Sequence, residues 1–152
     1  MKLMTLSFVA ASAFSLSFLG LDTDKDLKQS EVPSVVLNAV TTAHPGVANI
    51  EWEKTKDLYE AEFDKDTKEY TVQLNASGTI VQTKIDATEA ELPATVKSAI
   101  SSAYANQKID DVDVVEKNGR TYYQVELDGK LKDTKLVFDE TGKEASGVSY
   151  WD

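Results

Sequence analysis

The chain has 152 residues, 41% of them hydrophobic and 28% charged, a composition that can fold around a core and argues against disorder. Twenty-six Asp and Glu against 16 Lys and Arg leave a net charge of −10, an acidic field that repels phosphate backbones and anionic lipid and sets aside nucleic acid and membrane surface as partners. There is no cysteine, which excludes disulfides, thiol catalysis, Cys-ligated metal and a lipid anchor on an N-terminal cysteine.

Residues 1–20 carry one charge, Lys2, and then an apolar run that ends among small residues at Gly20. This is the layout of a secretory signal, with removal expected before Leu21. The run is interrupted by four serines and is near the lower limit for spanning a bilayer, which disfavours an uncleaved anchor. Residues 21–30, rich in Asp and Lys, read as a flexible, solvated leader.

From Glu31 the periodicity turns helical: Val32, Val36, Ala39, Val40 and Ala43 form one apolar stripe. Pro33 suits the first turn, and His44-Pro45-Gly46 stops the helix because Pro45 disfavours α geometry at the residue before it. Strands follow. Ile50 and Trp52 alternate with polar neighbours, as do Tyr59, Ala61 and Phe63 with Glu60 and Glu62, and Tyr70, Val72 and Leu74 with Thr71 and Gln73. The segments 64–67 and Asn75-Ala-Ser-Gly78 supply the reversals, and Thr79 to Ile85 the last strand.

The pattern then repeats. Thr88 and Glu91 form a capping box ahead of Leu92-Pro93, and Leu92, Val96, Ala99, Ile100 and Ala103 follow the first helix stripe at an offset of 60. In the strands the offset is 64: Tyr123, Val125 and Leu127 match Tyr59, Ala61 and Phe63, Leu136 and Phe138 match Val72 and Leu74, and Gly142 matches Gly78. The extra residues fall in the helix-to-strand loop, where length costs least. Asn118-Gly119 marks a hairpin, and Ser146 to Trp151 reads as a closing strand. The fold class is therefore α+β: two tandem α-β-β-β-β repeats, 31–86 and 87–152, with antiparallel sheet and both helices on one face.

The pair Val32-Pro33-x-x-Val36 and Leu92-Pro93-x-x-Val96, each leading to a helix end, a Tyr-containing strand and an Asp/Asn-x-x-Gly turn, resembles the PepSY-like, β-lactamase-inhibitor-like repeat proteins, small exported bacterial proteins. The resemblance covers residues 31 to 151. Its motifs are structural and carry no catalytic or ligand residue, so it implies at most a protein-binding or inhibitory module, with a hydrolase as one partner class.

Chemistry-bearing residues give no enzyme. His44 is the single histidine and stands at a helix stop without a serine motif. Asp22, Asp24 and Asp26 imitate the start of an EF-hand loop, but Leu27 replaces its glycine and Pro33 its final glutamate. Asp110, Asp111 and Asp113 read as solvated carboxylates, and Glu60 with Glu62 lacks the burial that would split a catalytic pair. No cofactor is expected. If Tyr123 and Trp151 point inward, period-2 geometry leaves Tyr122, Gln124, Lys135, Val137 and Tyr150 on the open face, an aromatic and polar surface suited to a protein or peptide partner. A rival reading is an envelope protein binding a small molecule or cation through acidic loops or the groove between repeats.

Overall fold

The protein is described by a computed structural model that covers residues 25–152; the expected signal segment lies outside the described residues. Among the described residues eight strands form one antiparallel sheet in sequence order: β1 (Lys25–Leu27), β2 (Glu51–Thr55), β3 (Leu58–Lys65), β4 (Lys68–Asn75), β5 (Ile80–Ala87), β6 (Lys108–Lys117), β7 (Arg120–Asp128) and β8 (Thr134–Asp139). Helix α1 (Ser34–Ala43) crosses from β1 to β2, and α2 (Ala94–Ala103) from β5 to β6. All other connections are hairpin turns, so neighbours in sequence are neighbours in the sheet.

Each helix starts where its proline ends a short 3₁₀ turn. Pro33 and Pro93 sit in extended geometry as the residues just before α1 and α2, one position earlier than a place inside the first turn. The capping box expected at Thr88 closes the turn ahead of α2: the Thr88 amide donates to Glu91 Oε2 at 2.9 Å and its hydroxyl to the same oxygen at 3.1 Å. In the first repeat the Lys28 amide donates to Glu31 Oε2 at 2.9 Å.

The apolar stripes face the sheet. Val32, Val36 and Val40 pack with Trp52, Ala61, Phe63, Val72 and Leu74 under α1. Leu92, Val96 and Ile100 pack with Val112, Val125, Leu127 and Phe138 under α2. These two clusters occupy corresponding positions 60 to 64 residues apart; because Trp52 pairs with Ala61 and Val112 with Val125, the extra residues lengthen the β6–β7 hairpin and not the helix-to-strand loop where they were expected. The partners also match across the ladders: Tyr59 faces Leu74 and Phe63 faces Tyr70 in one repeat, as Tyr123 faces Phe138 in the other.

Two expectations about the frame of the repeat change. The leader expected to be solvated contains β1, whose Leu27 pairs with Trp52 and packs against the first core. The closing strand expected over 146–151 is absent, and β8 is an edge of the sheet. The unit is therefore strand, 3₁₀ turn, helix and three strands, used twice, with β5 opening the second copy as β1 opens the first. A three-residue strand is too short for period-2 alternation to reveal, which is why the helix looked like the start of the unit.

Candidate functional site

Among the described residues one face of the sheet carries both helices and the opposite face carries none, and strand alternation decides what it displays. In the first half it displays Glu51 and Glu53 of β2 directly opposite Glu62 and Glu60 of β3. Gln73 bridges from Glu60 inward, donating to Glu60 Oε2 at 2.7 Å, and accepts from Gln82 Nε2 at 2.8 Å. Glu62 is held above the ordinary carboxylate range, first by desolvation against the sheet and then by the charges of Glu69, Glu51, Glu53 and Glu60. The expectation that this pair lacks any such perturbation is corrected for Glu62, although the like charges around it supply no acid–base division of labour.

The second half of the same face displays Tyr122, Gln124 and Glu126 of β7, with Lys135 and Val137 of β8. Alternation had predicted this set, but the surface is not bare. After β8 the chain turns through Asp139, whose carboxylate accepts from the Thr141 and Lys143 amides at 2.9 and 3.1 Å. It then returns across the open face as a strap ending Tyr150-Trp151-Asp152. The Trp151 amide donates to Gln124 Oε1 at 2.6 Å, and Gln124 Nε2 donates to the Trp151 carbonyl at 2.9 Å. Lys84 of β5 stands 5.3 Å from the centroid of the Trp151 ring and donates to the Trp151 carbonyl at 3.4 Å. Lys135 stands 4.9 Å from the centroid of the Tyr150 ring and pairs with the Asp152 carboxylate.

These contacts correct the expected orientation of Trp151, which lies on the open face rather than under the helix. They also change the accessibility of the predicted contact set: Gln124 is 1% and Val137 8% exposed, whereas Tyr122 and Tyr150 are half-buried and Lys135 is exposed. The five predicted residues do form one patch, and three of them hold or belong to the strap. Lys84 was missed, because nothing in a strand's alternation says which distant segment will settle beside it.

Asp113, expected to be a solvated carboxylate, is 8% exposed on this face. Burial pushes its pKa up to about 6, opposed by Lys84 and by a Gln124 hydrogen bond at 3.3 Å, and assisted by Asp111 and Asp86. Lys84, Asp86, Asp111 and Asp113 with Glu69 and Thr71 line a depression of about 260 Å³, in which the cation is the protein's own ammonium. Among the described residues no group of three metal-ligating side chains is placed to hold an ion. His44 packs its ring 5.1 Å from Phe63 and 5.5 Å from Tyr70, centroid to centroid, and burial holds its pKa below the ordinary imidazole value. It caps an aromatic cluster rather than a catalytic constellation.

The family profile described as "Putative beta-lactamase-inhibitor-like, PepSY-like" matches twice, over residues 21–82 and 57–144. A BLIP-like protein from Bacteroides fragilis superposes with a TM-score of 0.66 at 25% identity, covering 78% of this chain and 92% of its own. A DUF2874 family protein from Bacteroides uniformis gives 0.70 at 21% identity, with 74% and 86% covered. A Bacteroides eggerthii structure described as "putative periplasmic" gives 0.71 at 20% identity, with 75% and 86% covered. No curated protein matches the sequence.

Proposed function

The chain belongs to the PepSY-like, beta-lactamase-inhibitor-like family, and from that premise we propose that it is an exported, non-catalytic module that binds a protein or peptide partner on the sheet face opposite its helices. The observation that carries this reading is the strap: a polypeptide segment seated on that face, with both main-chain groups of Trp151 engaged by the Gln124 side chain. A surface that holds a chain segment through its backbone suits peptide recognition. The glutamates of β2 and β3 extend the same face with negative charge and favour a basic flank on the partner.

Export is supported by the charged start and apolar run of residues 1–20 and by the likeness to the B. eggerthii protein. Inhibition of a hydrolase is one form such binding takes, supported by the family description and the BLIP-like neighbour. The cation-binding alternative is weaker, because Lys84 already stands among the acidic side chains of the open face.

The test places a photoreactive side chain at Glu62 or Tyr122 on the open face, or at Val35 on the helix side, in the exported chain. Cross-links to one and the same partner from the first two positions and not from Val35 are the expected result. Cross-links from Val35 alone, or from none of the three, would remove the open face as the binding surface.

A further inference from the structure

Resting on the reading that the open face takes a partner, we propose that its second half is a site for an extended peptide ordered aromatic, aromatic, acidic. The chain's own Tyr150-Trp151-Asp152 occupies this site in cis as a displaceable strap.

The site is built before any ligand is considered. Gln124 is 1% exposed, and three of the four hydrogen-bonding positions of its amide are used: one N–H to Asp113 Oδ2 at 3.3 Å, one to the Trp151 carbonyl at 2.9 Å, and the oxygen receiving the Trp151 amide at 2.6 Å. A side-chain amide copies the peptide group, so this pair is the equivalent of two rungs of a β-ladder and reads main chain irrespective of sequence. Sequence is read by two lysines. Lys84 meets the second aromatic ring and Lys135 the first, each within cation–π range, and Lys135 also meets the acid.

The first repeat shows what the site requires by lacking it. At the positions of Gln124, Lys135 and Val137 it carries Glu60, Thr71 and Gln73. A carboxylate at Glu60 has no hydrogen to give to a carbonyl, Thr71 has no charge to set under a ring, and Gln73 is engaged by Glu60 and Gln82. The helix-side cores of the two repeats exchange apolar residues for apolar ones at corresponding positions, whereas at these three open-face positions the exchange changes charge or hydrogen-bonding character.

The strap's hold is of the exchangeable kind. None of residues 149–152 belongs to a strand, Tyr150 and Trp151 remain half-exposed, and Asp152 is exposed. It departs from Gly147, around which a side chain would find open space. A second copy of this chain would offer the same three residues at a far lower concentration than the roughly millimolar one that a short tether gives in cis. The occupant in trans is therefore a different protein that presents this order and adds contacts of its own.

Fluorescence anisotropy with a labelled Ser-Tyr-Trp-Asp peptide, the sequence of residues 149–152, tests the proposal. The chain shortened after Val148 is expected to bind the peptide about tenfold or more tightly than the full chain, to prefer it over the reversed peptide, and to lose affinity for both peptides with Gln124→Leu. Should the shortened chain fail to fold, the full chain with Tyr150→Ala and Trp151→Ala takes its place in the same assay. Equal affinity of strapped and strap-free chains, or binding indifferent to Gln124, overturns the proposal. If the peptide fails while the open-face cross-links still capture their partner, this inference alone falls; if both fail, the functional reading falls with it.

Discussion

Asp113 shows what an unexpected cover does to a single side chain. Its strand position placed it on the open face, and a lone carboxylate there would be wet. Its burial raises its pKa to about 6 from 3.8, so the folded state holds the proton more tightly than the unfolded one. The charged form therefore costs stability in full above about pH 6, and the cost fades as pH falls through 6 toward 4. Asp113→Asn keeps an oxygen for Gln124 and removes the charge. It is expected to stabilise the protein at pH 8 by on the order of 1 kcal/mol, after allowance for screening by solvent, and to change nothing near pH 4; thermal melts at the two pH values check this. At Glu62 like charges directly across the ladder repel and add to desolvation in raising its pKa. Glu62→Gln should raise the unfolding free energy measured in urea by a few tenths to about 1 kcal/mol at roughly 0.01 M salt. The part of the gain that comes from the neighbouring charges should be lost at about 1 M, where screening reaches only a few ångströms; a gain independent of salt would assign the raised pKa of Glu62 to burial alone.

At the scale of elements, turn chemistry was the most legible feature. Asn118-Gly119 adopts positive φ at both residues, as its hairpin signature demands. Asn75 and Asp139 each gather the following amides on one side-chain oxygen ahead of a positive-φ glycine, with Gly78 at +80° and Gly142 at +81°. What the sequence did not announce is that both glycines also touch the helices. A Cβ on Gly142 would stand 2.5 Å from the Thr95 carbonyl oxygen of α2, and one on Gly78 2.8 Å from that of Val35 of α1. These turns are therefore the points where sheet and helix backbones meet, which explains why glycine recurs there at the repeat spacing. Gly142→Ala is expected to cost roughly 2–4 kcal/mol, combining the left-handed conformation with the clash. Gly119→Ala, with open space around it, should cost only about 1 kcal/mol; chemical denaturation of the two variants measures the difference. The strap was illegible for a related reason. Tyr150 and Trp151 have strand-like composition, but the edge-strand carbonyls and amides they would need are not what receives them; a buried glutamine is.

Across the whole molecule, the inward residues of the repeats stay apolar at corresponding positions while most outward residues change in charge or hydrogen-bonding character, and this division explains which parts the sequence could reveal. Cores are constrained by volume and alternation, so a spacing of 60 to 64 residues exposes them; a binding face answers to its occupant and leaves no period to find. The shared sheet has a further consequence. Pairing of β4 with β5 and of β5 with β6 runs without a break between the repeats, and Lys68 of the first reaches Glu91 of the second. Separating the copies would bare two long strand edges, and each unit alone would be near the lower size limit for a self-sufficient core. The protein should accordingly unfold as one cooperative unit. Val36→Ala under α1 and Val96→Ala under α2, both at fully buried positions, should each lower the same transition by roughly 2 kcal/mol. The transition seen by circular dichroism should coincide with that of Trp52, which is buried in the first core, when Trp151 is replaced by Phe so that one indole reports. Val96→Ala is the decisive variant, because its methyl groups are lost in the second core while the probe sits in the first. A Trp52 signal that ignored it would mean that the two copies share a ladder without sharing their stability.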